Sequence, residues 1–312
     1  MGSVSAMAVE VRFRSVSAIA LLALAGSQAR AQSADAGNFS VDVNLVVLHA
    51  TVLDKKGGFV SGLDKDDFRV LEDGKPQTIR TFSSQDVPVS VGLLVDSSGS
   101  MREKSPEVAT AAGAFVRASN PEDDMFILSF NEKVSFGMGE TPLISANSVK
   151  IELAVGSVPS RGKTALYDAI WDGLARLKQA SNSKKVLIVV SDGGDNASSH
   201  SLSEVLKAAE SSDVIIYTVG LFDEDDEDRN PGVLRKLAHS TGGEVFLPRK
   251  IPEVVEITRK IARDIRNQYT IGYVPSNEKF EPGYRTIQVT ATAPNHAKCI
   301  VRTRTGYLAG PQ

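Results

Sequence analysis

From Val89 to Val95 the chain reads Val-Ser-Val-Gly-Leu-Leu-Val, and shorter apolar runs recur at Met125–Phe130, Val186–Val190 and Val214–Val219. Strands this apolar are buried on both faces, as in a parallel sheet covered by helices. Between them lie segments with helical spacing: about Pro106–Arg117, Thr164–Lys178, Leu202–Ala209, Val233–His239 and Pro252–Arg266. In the second of these, Leu166, Ile170, Leu174 and Leu177 share one side. Val134–Met138 reads as an antiparallel neighbour of the Met125 strand, and Val245–Leu247 as a further strand. This alternation predicts an α/β fold with a doubly wound, mostly parallel, Rossmann-like sheet over residues 87–267.

The flanks have a different period. In the segment 39–85, Val41, Val43, Leu45 and Val47 alternate with residues of the opposite face, and the apolar run continues to Leu53. Asp54-Lys55-Lys56-Gly57-Gly58 reads as a turn. Phe68–Leu71 and Ile79–Phe82 read as strands, with Asp73-Gly74 as a hairpin signal. In the segment 268–309, Tyr269–Val274, Thr286–Thr292 and Cys299–Thr305 read as strands, separated by turns at Gly283 and Pro294-Asn295. Neither flank holds enough apolar residues for a core of its own. The expectation is therefore a small β-sandwich module formed by the N- and C-terminal strands together.

Composition adds two constraints. A net charge of −3 with no basic clustering gives no reason to expect a nucleic-acid partner. A lone cysteine, Cys299, excludes an intrachain disulfide, so stability must come from the core or a bound ion. The first residues carry a separate signal. Arg12 and Arg14 precede a short apolar run, Val16–Ala25, and Ala29-Arg30-Ala31 has a small-x-small pattern. Residues 1–31 thus read as a cleaved signal peptide, since a membrane-spanning helix needs roughly 20 apolar residues. An uncleaved anchor and a disordered tail are the alternatives. With no cysteine after the run to take a lipid, the expectation is an exported protein, periplasmic or extracellular, with no membrane span after cleavage.

Candidate chemistry sits where the first apolar strand ends, at Asp96-Ser97-Ser98-Gly99-Ser100. The Val186 strand ends in similar style, at Ser191-Asp192-Gly193-Gly194-Asp195. Ligands of open α/β sheets bind at the carboxyl ends of strands, where the strand order reverses. If the first and fourth strands are adjacent, Asp96 and Asp192 face each other there. Carboxylates and hydroxyls are hard donors, suited to Mg²⁺, Mn²⁺ or Ca²⁺, and no histidine or cysteine stands close enough in sequence to suggest zinc. Neutral hydroxyls leave the ion's charge partly uncompensated, so an open position would attract an external carboxylate. The competing reading has Ser98 or Ser100 capping the next helix and Asp192 making a turn.

This pattern resembles the metal-ion-dependent adhesion site of von Willebrand factor A (VWA) domains. Asp96, Ser98 and Ser100 match its first loop. Thr164, in Gly162-Lys163-Thr164-Ala165-Leu166, resembles its second-loop threonine, and Asp192 its third-loop aspartate. The resemblance covers roughly Val87–Arg266, and the flanks are similar to those of secreted bacterial VWA-related proteins. It implies that Ser98 and Ser100, often with Thr164, coordinate the ion directly, with Asp96 and Asp192 acting directly or through water. It implies a non-enzymatic adhesion or assembly module whose partner is a protein presenting an Asp or Glu. The alternatives are a cell-envelope scaffold in which the metal only stabilises the fold, and a metal-dependent hydrolase.

Other features point to less. Ser160-Arg161-Gly162-Lys163-Thr164 looks like the end of a phosphate-binding loop, but Gly156 is one residue too far from Gly162 and Pro159 interrupts it, so no nucleotide is expected. His200 follows the Asp192 loop, which makes a Ser–His–Asp site with Ser98 or Ser100 conceivable; a solvent-exposed loop histidine is the simpler reading. His239 is expected on a helix surface or at its C-terminal end. The acidic run Asp223–Asp228 is a solvated loop, a weak Ca²⁺ site or a charge field. Cys299 is expected to be a buried structural thiol.

Overall fold

The computed structural model describes residues 45–136, 144–145, 148–156, 158–222, 229–277, 282–293 and 297–309. The expected signal peptide, the alternating residues up to Val43, the Pro294-Asn295 turn and the acidic run 223–228 lie outside the described residues.

In chain order, β1 (Val46–Leu53), β2 (Phe68–Glu72), β3 (Lys75–Gln77) and β4 (Ile79–Ser83) come first. Asp73 and Gly74, with φ of 48° and 76°, turn β2 into β3, the backbone that a tight two-residue hairpin requires. The α/β region follows: β5 (Val89–Asp96), α1 (Ser105–Ala118), β6 (Asp124–Phe130), β7 (Val134–Phe136), β8 (Ile144–Ser145), α2 (Ser148–Gly156), α3 (Leu166–Lys178) and β9 (Lys184–Ser191). It continues with α4 (Leu202–Glu210), β10 (Val214–Gly220), α5 (Pro231–Thr241), β11 (Val245–Phe246) and α6 (Glu253–Arg266). The chain closes with β12 (Gln268–Tyr273), β13 (Gly283–Ala291), β14 (Ile300–Arg302) and β15 (Gly306–Ala309).

The central sheet has the order β11-β10-β9-β5-β6-β7, with β8 also on β6. Its first five strands are parallel, while β7 and β8 run antiparallel to β6. Every residue of β5 and β10 is buried, as their unbroken apolar runs require. One face packs Val91, Leu93 and Ile188 under α1, α2 and α6. The other packs Leu94, Phe126 and Leu187 under α3, α4 and α5. After β5 the chain runs outward to β6 and β7, then returns to lay β9 on the other side of β5. The order therefore reverses between β5 and β9, the adjacency that the site prediction needs.

The flanks pair as expected. Sheets β14-β1-β12-β4 and β15-β13-β2-β3 enclose a second core of Leu48, Ala50, Phe68, Val70, Ile271 and Val289. The outer face of β1 docks on the starts of the central strands: Val47 and His49 line a small cavity with Asp213, Val214 and Ile215. The sandwich thus sits at the sheet edge opposite Asp96.

Three details depart from the sequence reading. The strand expected over Cys299–Thr305 is shorter, Ile300–Arg302 on β1, and a further strand, β15, follows it and pairs with β13 in the other sheet. Between them Arg304 turns away and donates to the carbonyls of Glu210 and Ser212, closing the end of α4. Cys299 is half-buried beside the sandwich core rather than enclosed. Helix α2 carries no one-sided stripe to announce it, because Ile151 and Val155 are buried while Val149 and Leu153 are 64% and 67% exposed.

Candidate metal centre

Burial of β5 and β9 delivers Asp96 and Ser191 side by side at the carboxyl edge. Asp96 is fixed from both oxygens: Oδ1 accepts from the Ser98 N–H at 2.8 Å and Oδ2 from Ser191 Oγ at 2.7 Å. The turn that the first of these bonds closes brings Ser98 Oγ within 3.0 Å of Ser100 Oγ. Ser100 Oγ in turn donates to Asp192 Oδ2 at 2.6 Å, across the switch point. Asp192 Oδ1 accepts from Gly194 N at 2.9 Å. Four of the five expected residues therefore form one connected group.

Thr164 is brought in through its backbone. Arg161 N donates to Ser97 O at 2.9 Å and Gly99 N to Gly162 O at 3.2 Å, which ties the second loop to the first. Asn196 Oδ1 accepts from Thr164 N at 2.9 Å, and Thr164 O accepts from the N–H groups of Asn196 and Ala197, which ties it to the third. With both its carbonyl and its N–H used inside the protein, Gly162-Lys163-Thr164 is a tie between loops and not a phosphate cradle.

The donor set fits a hard divalent cation. Asp96 and Asp192 are buried, and among the described residues neither forms an ion pair. Burial pushes the Asp96 carboxyl up to about 6, and the charge of Asp192 adds to this, while hydrogen bonds from Ser191 and Ser98 oppose it. Two uncompensated buried carboxylates are costly, and a cation is the natural remedy. Nor do the hydroxyls cap helices. Ser98 precedes the short 3₁₀ turn Gly99–Met101 without a side-chain capping bond. The first N–H groups of α3 are taken by Asp195 Oδ2 (from Tyr167 N, 3.0 Å) and Ser198 Oγ (from Asp168 N, 3.1 Å), not by Thr164. Among the described residues no three His, Cys, Asp or Glu side chains gather as a metal-binding group, so any ion here relies on hydroxyls.

His200 is engaged elsewhere. Its Nδ1 lies 2.7 Å from Asp168 Oδ1, and its ring stacks on Trp171 at 4.3 Å. Among the described residues neither Ser98 nor Ser100 is bonded to a histidine. His239 is exposed in the last turn of α5. The sequence reading did not single out Ser191, Asp195, Asn196 and Ser198, which hold the loops. Ser191 and Asp195 stood in the same string as Asp192, but nothing in their spacing said which oxygen each would meet.

The family profile described as von Willebrand factor type A domain matches residues 90–260. No curated protein matches the chain. Among solved structures, a von Willebrand factor type A protein from Catenulispora acidiphila aligns with TM-score 0.51 and 15% identity, covering 78% of this chain and 72% of that one. Proximal thread matrix protein 1 from the mussel byssus aligns with TM-score 0.50 and 15% identity, over 62% of this chain and 50% of that one. At such identities these structures show a shared fold. With the profile spanning more than half of the sequence, the chain belongs to the von Willebrand factor type A domain family.

Proposed function

We propose that this chain is an exported protein-binding module that captures a partner's Asp or Glu through a divalent cation, Mg²⁺ or else Mn²⁺ or Ca²⁺. The observation that carries this reading is the connected group of Asp96, Ser98, Ser100 and Asp192, whose two carboxylates are buried and form no ion pair among the described residues, with Thr164 on the adjoining loop. When bound, the cation supplies an electrophilic position for an external carboxylate. The protein's own groups prepare for it. Asp192 accepts the Ser100 proton, which leaves a lone pair of that hydroxyl free to face the ion. Ser191 Oγ and the Ser98 N–H hold the two carboxylate oxygens of Asp96 in place. The rim at Gly99 and Arg161–Lys163 is exposed, so a partner side chain can reach the site. Export rests on the pattern of residues 1–31; among the described residues no helix is long and apolar enough to cross a membrane.

Calorimetric titration of the EDTA-stripped protein with Mg²⁺ or Mn²⁺ tests the ion site. Saturable binding is expected, and Asp96→Ala should weaken it by at least about a hundredfold while leaving the circular dichroism spectrum intact. A wild-type protein that binds neither ion overturns the reading. The pH dependence gives a second check. The ion needs Asp96 ionised, and that carboxyl is held near 6. Affinity should therefore be constant above that pH and fall by about tenfold per unit below it, with a proton released on binding. A flat profile between pH 5 and 7, to within about twofold, would remove Asp96 from the site.

A further inference from the structure

We infer that the joint between the sandwich and the central sheet closes only on the neutral imidazole of His49, so that acid loosens it. The joint lies where the outer face of β1 meets the starts of the central strands. His49 is on that face, opposite Thr270 of β12, and its Nδ1 is 3.2 Å from Thr270 Oγ1. The half-buried residue lines a cavity of about 10 Å³, with Asp213, Val214, Thr241 and Arg304 among its other walls. That volume holds about one water molecule, too little to hydrate a charged ring.

The charges around the ring leave an added proton without a partner. Lys184 begins β9; it is 4% exposed, and its Nζ donates to Ile265 O. Arg304 donates to the carbonyls of Glu210 and Ser212. Both cations oppose a further positive charge on His49. The carboxylates of the neighbouring elements are engaged elsewhere. Asp213, just before β10, lies 3.7 Å from Arg304, with its side chain 70% exposed. Glu210, at the end of α4, has Arg304 as its countercharge. Asp264 of α6 takes Thr51, Tyr217 and Arg302, and Asp86 and Asp123 take Arg266. From α5 the cavity meets the neutral Thr241. Burial, and then the charges of Lys184 and Arg304, hold the imidazole down to about 3. The unfolded chain takes this proton from about 6.5 downward. The joint therefore keeps its full strength above that pH and loses it progressively as the pH falls toward 3.

The test uses the full chain in EDTA beside His49→Gln, whose amide can still meet Thr270 but takes no proton. Urea denaturation at about pH 7 and about pH 5 gives the unfolding constant of each protein. Between these two pH values the wild-type constant should rise about 25-fold more than that of the variant, the factor expected of a histidine that titrates only when unfolded. The carboxylates and the other histidines are common to both proteins and cancel in the comparison. A wild-type rise within about threefold of the variant's overturns the inference. Proton NMR of the folded wild type gives a reading that needs no folded variant. The His49 ring signal, identified by its proximity to Thr270, should hold one chemical shift from about pH 7.5 to about pH 5. A ring that titrates near 6.5 or above would mean that Asp213 or solvent meets the imidazolium, and that the joint tolerates acid.

Discussion

Asp264→Ala lowers the stability of the folded chain by about 3–5 kcal/mol, the cost of stranding a buried charge. Asp264 lies on α6 and is 1% exposed. It accepts from Thr51 Oγ1 on β1 at 2.7 Å and from Tyr217 OH on β10 at 2.8 Å, and it pairs with Arg302 of β14. One carboxylate thereby holds the last helix, the central sheet and the sandwich. Its loss leaves the Arg302 guanidinium with Glu244 as its remaining ion-pair partner among the described residues, and two buried hydroxyls without their acceptor. Urea denaturation followed by Trp171 fluorescence measures the effect. Asp264→Asn, which keeps the shape and one acceptor, should cost less than alanine. A loss under about 1 kcal/mol for alanine would mean that water replaces the carboxylate, and that the junction is wetter than its burial indicates.

The second large effect is expected at Gly193→Ala. Gly193 has φ of +80°, a conformation that side-chain-bearing residues adopt only under strain. A methyl group here would also meet Asn230 O at 2.5 Å and Leu234 Cγ at 3.0 Å. Neither neighbour yields cheaply, because Asn230 begins α5 and its N–H donates to Asp192 O. Backbone strain and overpacking together cost about 2–4 kcal/mol. Relief has to come by moving the third loop, and Asp192 moves with it. The variant should therefore lose both melting temperature and Mn²⁺ affinity, whereas Asp96→Ala should lose the ion with little change in melting. A Gly193→Ala protein that titrates Mn²⁺ like the wild type would show that Asp192 can keep its place while the loop adjusts.

These two residues also mark what the sequence could and could not say. The unbroken apolar runs of β5, β9 and β10 admitted one environment, a strand covered on both sides, and Asp96 and Asp192 were placed at their ends by that argument alone. Thr164 was different. Its position depends on ties from Arg161 to Ser97 and from Asn196 to Thr164, which no local period encodes, so only the family resemblance pointed to it. Asp264 and Arg302 lie 38 positions apart in different elements, and their pairing follows from how α6 lands on the sandwich. The passage of the chain from β14 in one sheet to β15 in the other, after Arg302, was likewise hidden, because alternation reports which residues face inward but not which sheet they join. Helix α2 escaped because its apolar residues point both ways.

Ser83 pairs with Thr270, and Phe82 with Ile271, in the antiparallel ladder of β4 and β12. Everything between those partners, including the entire central sheet, occupies the place of the loop in a β-hairpin. Closing so long a loop as open chain would carry a large entropic cost, whereas a folded domain whose two ends emerge together brings the strands to each other without it. The strands that flank the insertion are therefore joined by the folding of what lies between them. The α/β domain can in principle be lifted out, or replaced by a two-residue turn, without altering the strand order of the platform that carries it.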